Sequence, residues 1–204
     1  TKGYQNLCHL LTEIHCRSEV FSPDALSNNS EPSVFFPSHT EGIIALLTPE
    51  SLPSLDRKTL LRVALMLGRT FGKQNVYITL TRHHNRSTDR INRLLIDLAQ
   101  SLNIPLLASN APLFSHRRCR LLADCFTCLR HHTTLDEAGT LLASNSERYL
   151  KSPDHMSALF GDQQQALINT EILSERLAFT LDDLEYKFPS YHENGKILTL
   201  EEEA

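Results

Sequence analysis

Val76-Tyr77-Ile78-Thr79-Leu80, then Thr81-Arg82-His83-His84, then an amphipathic run to Leu102, then Ile104-Pro105-Leu106-Leu107-Ala108: this stretch decides the fold. Its first and last pieces are short apolar runs of strand length, the pattern of strands buried on both faces. Between them Ile91, Leu94, Leu95, Leu98 and Leu102 recur at three- and four-residue spacings, one face of a helix, with Ser87-Thr88 as the expected N-cap. Toward the amino end, Ile43-Ile44-Ala45-Leu46-Leu47 is a third apolar run. Pro/Ser punctuation follows it, then Leu60, Leu61, Ala64, Leu65 and Leu67 through Phe71 on a second amphipathic helix. Three short runs separated by helices read as β-α-β-α-β, and right-handed crossovers make the strands parallel. The fold class is α/β with parallel strands, followed by a mainly helical C-terminal part.

Outward from this unit, Tyr4, Leu7, Leu10, Leu11 and Ile14 lie on one face of an opening helix that should end near Arg17. Residues 22–40 read as a polar connection in which Val34-Phe35-Phe36 is a short strand or an anchor. After Asn110 the period is helical. Arg118 to Leu129 carries Leu121, Leu122, Cys125, Phe126, Cys128 and Leu129 as its stripe. Thr134-Leu135-Asp136-Glu137 fits a capping box, and Ser152-Pro153-Asp154 places a cap and an N1 proline ahead of Met156, Leu159 and Phe160. A last helix is expected from Gln163 to Ala178 with Leu167, Ile168, Ile172, Leu173 and Leu177 inward. The acidic tail 189–204 reads as loose.

With 204 residues and 41% apolar side chains, the chain can bury a core, which removes disorder as its main theme. Its apolar runs fall far short of the roughly 20 residues that cross a bilayer. Thr1-Lys2-Gly3-Tyr4 is not followed by a secretory h-region, so a cytoplasmic protein without membrane contact is expected. A start at Thr rather than Met reads as a piece of something longer. Five cysteines make no disulfide framework. Residues 1–81, 82–132 and 133–204 carry net charges of 0, +5 and −9. A basic middle can meet phosphates and an acidic tail can dock on a basic partner, but solvated faces account for both.

In parallel α/β sheets ligands sit at the carboxyl ends of the strands, here Thr48-Pro49, Thr81-Arg82-His83-His84 and Ser109-Asn110-Ala111. A histidine at a strand end can ligate zinc, which needs at least three protein ligands, and the other two strand ends supply no good one. His83-His84 is therefore read in preference as a surface pair beside Arg82 and Arg86. Cys125 and Cys128 with His131-His132 have zinc-like spacing, but both thiols fall on the stripe of a helix, where a free cysteine acts as a small hydrophobe. His116-Arg117-Arg118-Cys119-Arg120 could hold phosphates, with solvated surface the simpler reading. There is no nucleophile elbow, Gly-rich phosphate loop or paired-acid motif, so no catalytic residue is assigned.

Gly3-Tyr4-Gln5-Asn6-Leu7-Cys8-His9-Leu10-Leu11-Thr12 resembles a segment of the bacterial C-family DNA polymerases, relatives of the DNA polymerase III alpha subunit. Ile104 to Phe114 is similar to another of their segments. Thr127 to Gly139, Asn145 to Pro153, Met156, Leu159-Phe160, Thr170 and Leu181 to Tyr186 resemble the error-prone branch, and the likeness spans approximately residues 1–190. It implies a partial PHP (polymerase and histidinol phosphatase) domain, a seven-stranded β/α barrel, at residues 1–132. A helical connection toward the polymerase palm would follow at 133–188, then the loose tail 189–204. In that family the barrel mouth can hold up to three metal ions, and the polymerase carboxylates lie in the palm, beyond this chain.

The departures from the family pattern bear on chemistry. Its first strands, with a His-x-His pair, would precede Thr1. Arg82 and His83 match, but Thr79 stands where metal-binding members have Glu, and Pro49 where many have Cys. Asn110-Ala111-Pro112-Leu113 lacks the Asp and His of their Asn, Asp, small residue, His segment. His83 is left as a vestigial metal ligand, and a divalent ion stripped of anionic ligands gains little against its dehydration. The error-prone branch carries such decayed sites.

The expectation is a non-catalytic scaffold within an error-prone DNA polymerase, a nucleotidyltransferase of DNA replication and repair. It would have no cofactor of its own, the remaining polymerase domains as partners, and DNA only indirectly. The alternatives are a metal-dependent phosphoesterase or 3′–5′ exonuclease using Zn or Mn at His83, and a stand-alone interaction module from a truncated gene. The missing strands should leave a sheet edge and apolar faces exposed.

Overall fold

The computed structural model describes residues 2–16, 39–49 and 56–180, together with the short pairs 192–193 and 196–197. Most of the expected 22–40 connection, including Val34-Phe35-Phe36, lies outside the described residues, as do Leu181 to Tyr186 and most of the tail. The elements in chain order are α1 (Lys2–Cys16), β1 (Ala45–Leu47), α2 (Arg57–Phe71), β2 (Val76–Thr81), α3 (Arg86–Leu102) and β3 (Leu106–Ser109). After these come α4 (Arg120–His131), α5 (Pro153–Leu159), α6 (Gln164–Arg176) and a small antiparallel pair, β4 (His192–Glu193) and β5 (Lys196–Ile197).

β1, β2 and β3 form a parallel sheet in that order, with Ala45 opposite Val76 and Ile78 opposite Leu106. The β-α-β-α-β reading is thus observed. Every residue of the central strand β2 is buried. Ile78 and Leu80 share a core with Leu60 and Ala64 of α2 and with Leu95, Leu98 and Ala99 of α3, so both crossover helices cover one face. Tyr77 points the other way, toward Leu107 and Leu173. The sheet is open: among the described residues it does not close into a barrel, and β1 has no strand on its outer side.

Local chemistry sets the helix ends. Asp56 caps α2, accepting the Thr59 N–H at 2.8 Å, and the Thr59 hydrogen bonds hold its carboxyl below the usual range. Asn85, two residues before the expected Ser87-Thr88, caps α3 by accepting the Ser87 N–H at 3.0 Å. Asn103, left-handed at φ 53°, closes α3. Ser152 and Pro153 start α5 as the sequence suggests, Ser152 accepting from His155 N–H. Thr134 to Glu137 starts no α-helix. The chain makes a single turn, Ala138 N–H donating to Thr134 O at 2.9 Å, and a 3-10 turn follows from Gly139, whose φ is 49°.

α1 docks on the turn before β1 through its small and polar side. A Cβ on Gly3 would lie 2.5 Å from the Gly42 carbonyl oxygen, Asn6 donates to Glu41 O at 2.8 Å, and Lys2 pairs with Glu41. Leu10 is buried, but Tyr4, Leu7 and Leu11 of the same apolar face are exposed.

α6 packs along the outer edge of β3. Asn169 donates to Leu106 O at 2.8 Å, and Thr170 Oγ1 accepts the Ala108 N–H at 3.1 Å. That placement buries Ala166 and Leu173 and leaves Ile168, Ile172 and Leu177 facing out, contrary to the inward assignment from periodicity. Phe160 and Ala166 belong to the same core as the strands, so the helices beyond residue 132 share it.

Candidate functional site

The carboxyl rim of the sheet brings two of the singled-out residues together. His83, buried at the end of β2, donates through Nε2 to the Asn110 carbonyl at 2.9 Å beyond the end of β3. A carbonyl only accepts, so this contact fixes a proton on Nε2 and takes that nitrogen away from any metal. Thr79, buried on β2, has a hydroxyl with no hydrogen-bond partner.

The segment 145–151 crosses this rim. Asn145 donates to His83 O at 2.6 Å, and Arg148 Nε donates to Ala111 O at 2.9 Å. The Asn110 amide donates to Glu147 O at 2.8 Å and to Tyr149 O at 2.5 Å. Tyr149 also bridges to Phe114 in the parallel sense, Leu150 N–H donating to Phe114 O at 3.2 Å. Lys151 completes the crossing: its ammonium donates to Glu147 O at 2.6 Å and Asn110 Oδ1 at 3.3 Å, and lies 4.0 Å from the Tyr149 ring centre. The Lys151 side chain is 5% exposed and that of Glu147 13%, and their ion pair is 3.3 Å. Arg117 reaches Glu147 from outside at 3.0 Å. Glu147, the one carboxylate in this network among the described residues, is thus met by two cations.

Beside the rim, Arg82 forks onto Asp162 at 2.5 and 2.8 Å and donates to Leu159 O at 2.7 Å, with its guanidinium 5.0 Å from the Phe160 ring centre. Arg82 holds the Asp162 carboxyl below the usual carboxylate range, and Asp162 raises Arg82 in return. On β2, Asn92 of α3 donates to Thr81 O at 2.7 Å and fixes the strand end.

The zinc-like spacing resolves differently. Cys125 and Cys128 lie one turn apart on α4, Cys128 buried and His131 and His132 exposed, with His132 the left-handed C-cap. Burial, with Cys125 and Asp124 nearby, pushes the Cys128 thiol above its usual range. Among the described residues no three His, Cys, Asp or Glu side chains gather as metal ligands would. An apolar groove of about 470 Å³ lies at the opposite, amino ends of the strands, lined by Tyr4, Leu7, Ile44, Leu173 and Phe179 among others. Among the described residues it carries no acid or base beyond the Tyr4 hydroxyl.

Periodicity missed Asn145, Glu147, Arg148 and Lys151, because they act from an irregular segment on partners 37 to 62 residues away. The Glu147–Lys151 spacing of four was the available signal.

No helix among the described residues is long and apolar enough to cross a membrane. No family model matches the sequence. Over 114 residues, 56% of this chain and 10% of the relative, it is 39% identical to the error-prone DNA polymerase of Rhodopseudomonas palustris (strain BisA53). Over 195 residues, 96% of this chain and 17% of the relative, it is 29% identical to error-prone DNA polymerase 1 of Rhizobium meliloti (strain 1021). Over 103 residues, 50% of this chain and 9% of the relative, it is 40% identical to the error-prone DNA polymerase of Sinorhizobium medicae (strain WSM419). Along as much as 96% of its length the chain is similar to proteins named error-prone DNA polymerase, of which it spans less than a fifth, consistent with a fragment of such a polymerase.

Proposed function

We propose that this chain is part of the PHP region of an error-prone DNA polymerase and serves it as a non-catalytic wall. Its former metal mouth is degenerate, and its partners are the remaining polymerase domains. One observation carries this reading: the Lys151 ammonium sits buried at the rim, held by Asn110 and Glu147, beside a His83 whose Nε2 is committed to a carbonyl. Among the described residues, a divalent cation at that rim would meet an ammonium and a guanidinium competing for the same carboxylate, with His83 Nδ1 and amide and carbonyl oxygens as the other donors. That donor set offers zinc at most one imidazole nitrogen where it takes at least three protein ligands, and gives manganese too little anionic charge.

The test is equilibrium dialysis of the purified chain against Mn²⁺ and Zn²⁺, with assays of phosphate release from a phosphomonoester and of 3′–5′ degradation of a single-stranded oligonucleotide. The expected result is substoichiometric metal and no hydrolysis. Stoichiometric binding that supports either hydrolysis, and is lost with His83→Ala, would establish the phosphoesterase or exonuclease reading instead.

A further inference from the structure

α4 is packed with its polar side inward. Asp124 and Cys128 are buried and Arg120 donates to Ala143 O at 2.6 Å, whereas Leu122, Phe126 and Leu129 are 59%, 63% and 70% exposed. With half-buried Cys125 these residues follow the i, i+3, i+4, i+7 spacing by which one helix offers a seam to another. Two exposed arginines bracket the seam, Arg118 in the turn before the helix and Arg130 in its last turn, about 18 Å apart by helical rise. No described residue pairs with either one, in contrast to Arg117 and Arg120, which meet Glu147 and Asp124.

The charges select the occupant. A second copy packed antiparallel on this seam would set the Arg118 end of one helix beside the Arg130 end of the other, and a parallel copy would set like against like at both ends. Either arrangement places uncompensated positive charges together at a desolvating interface. An apolar stripe between the cations is likewise poorly matched to a phosphate backbone, which wants a continuous basic track. We infer that the Leu122–Phe126–Leu129 face of α4 is a docking seam for an acidic amphipathic helix of a partner outside this chain. Leucines of that helix would fill the seam and its carboxylates would meet Arg118 and Arg130. This seam is separate from the rim, and its occupancy does not depend on whether the rim binds metal.

The test uses the full 204-residue chain and a fluorescent synthetic peptide helix about five turns long, with leucines at i, i+3, i+4 and i+7 and glutamates at both ends. Fluorescence anisotropy should show saturable binding. Phe126→Glu should weaken it about tenfold or more, and the far-UV circular dichroism should stay unchanged because that side chain is solvent-facing. The double variant Arg118→Glu/Arg130→Glu should weaken binding about tenfold, and a peptide with lysines in place of the glutamates should recover it. Four outcomes overturn the proposal: no binding to the wild-type chain, equal binding of a scrambled peptide, no recovery on charge exchange, or sedimentation showing that the chain already dimerises through Phe126. Duplex DNA displacing the peptide through Arg118 and Arg130 would also overturn it, in favour of a nucleic-acid surface.

Discussion

Helices α3 and α4 have the same kind of sequence and opposite fates. Each alternates apolar and polar side chains with a helical period, and each follows a loop that leaves the sheet. α3 turns its leucines inward, Leu95 and Leu98 closing the core over Ile78 and Leu80, and shows water Arg90, Arg93 and Asp97. α4 turns the other way, with an aspartate and a cysteine beneath it and leucines and a phenylalanine above. Periodicity therefore identifies which side of a helix is apolar, whereas the neighbouring chain determines whether that side is covered. For α3 the cover is β2, supplied by the adjacent sequence. For α4, among the described residues, the hold on the neighbouring chain is polar: Arg120 donates to the Ala143 carbonyl at 2.6 Å, steadied within the helix by the Arg120–Asp124 pair at 3.3 Å.

The largest effect that could break this contrast is the cost of deleting apolar bulk. Leu95→Ala on α3 should cost about 3 kcal/mol, because a fully buried leucine leaves a cavity. Phe126→Ala on α4 should cost less than about 0.5 kcal/mol. Urea unfolding of both variants decides it, and comparable losses would mean that α4 is covered in solution. The mirror experiment removes acids. Asp124→Ala should cost about 1 kcal/mol, since it leaves Arg120, which reaches from α4 to the Ala143 carbonyl, without its carboxylate. Asp97→Ala, on the wet side of α3, should change stability by less than about 0.5 kcal/mol.

The smallest effect concerns the joint between the end of β2 and the turn after α5. Arg82 depresses the Asp162 carboxyl below its ordinary value of 3.8, so the charged form is favoured in the folded chain. Stability from such a group is present above the unfolded value and disappears as pH falls through the folded one. Stability measured from pH 5 downward should therefore drop more steeply in the wild type than in Asp162→Asn, with the difference confined to pH values below about 4. Parallel curves would show that the fork does not persist in solution.

The strands and their order were legible because short apolar runs separated by amphipathic helices leave few topologies. The rim was half legible. The strand-end rule points to the stretches holding His83 and Asn110, yet His83, read as half of a surface pair with His84, is buried, and Asn145, Glu147 and Lys151 reach the rim by hydrogen bonds spanning 37 to 62 residues, which no local period encodes. The cap of α3 was misplaced because Asn85 and Ser87 are both good capping residues, and the hydrogen bond from Ser87 N–H to Asn85 decides between them. The apolar faces of α1, α4 and α6 do not tell which way each helix turns, and the inward assignment for α6 fails, for one common reason: each packs through a narrow polar or small-residue strip, Gly3 with Asn6, Asp124 with Cys128, and Asn169 with Thr170.

The last of those strips has a consequence for how the sheet can be extended. Because a helix amide occupies the Leu106 carbonyl and a hydroxyl occupies the N–H and carbonyl of Ala108, β3 is a covered margin. Any further ribbon, whether from a longer polypeptide or from a fibrillar misassembly, can join only at the Ala45–Leu47 side, giving the layer a single direction of growth.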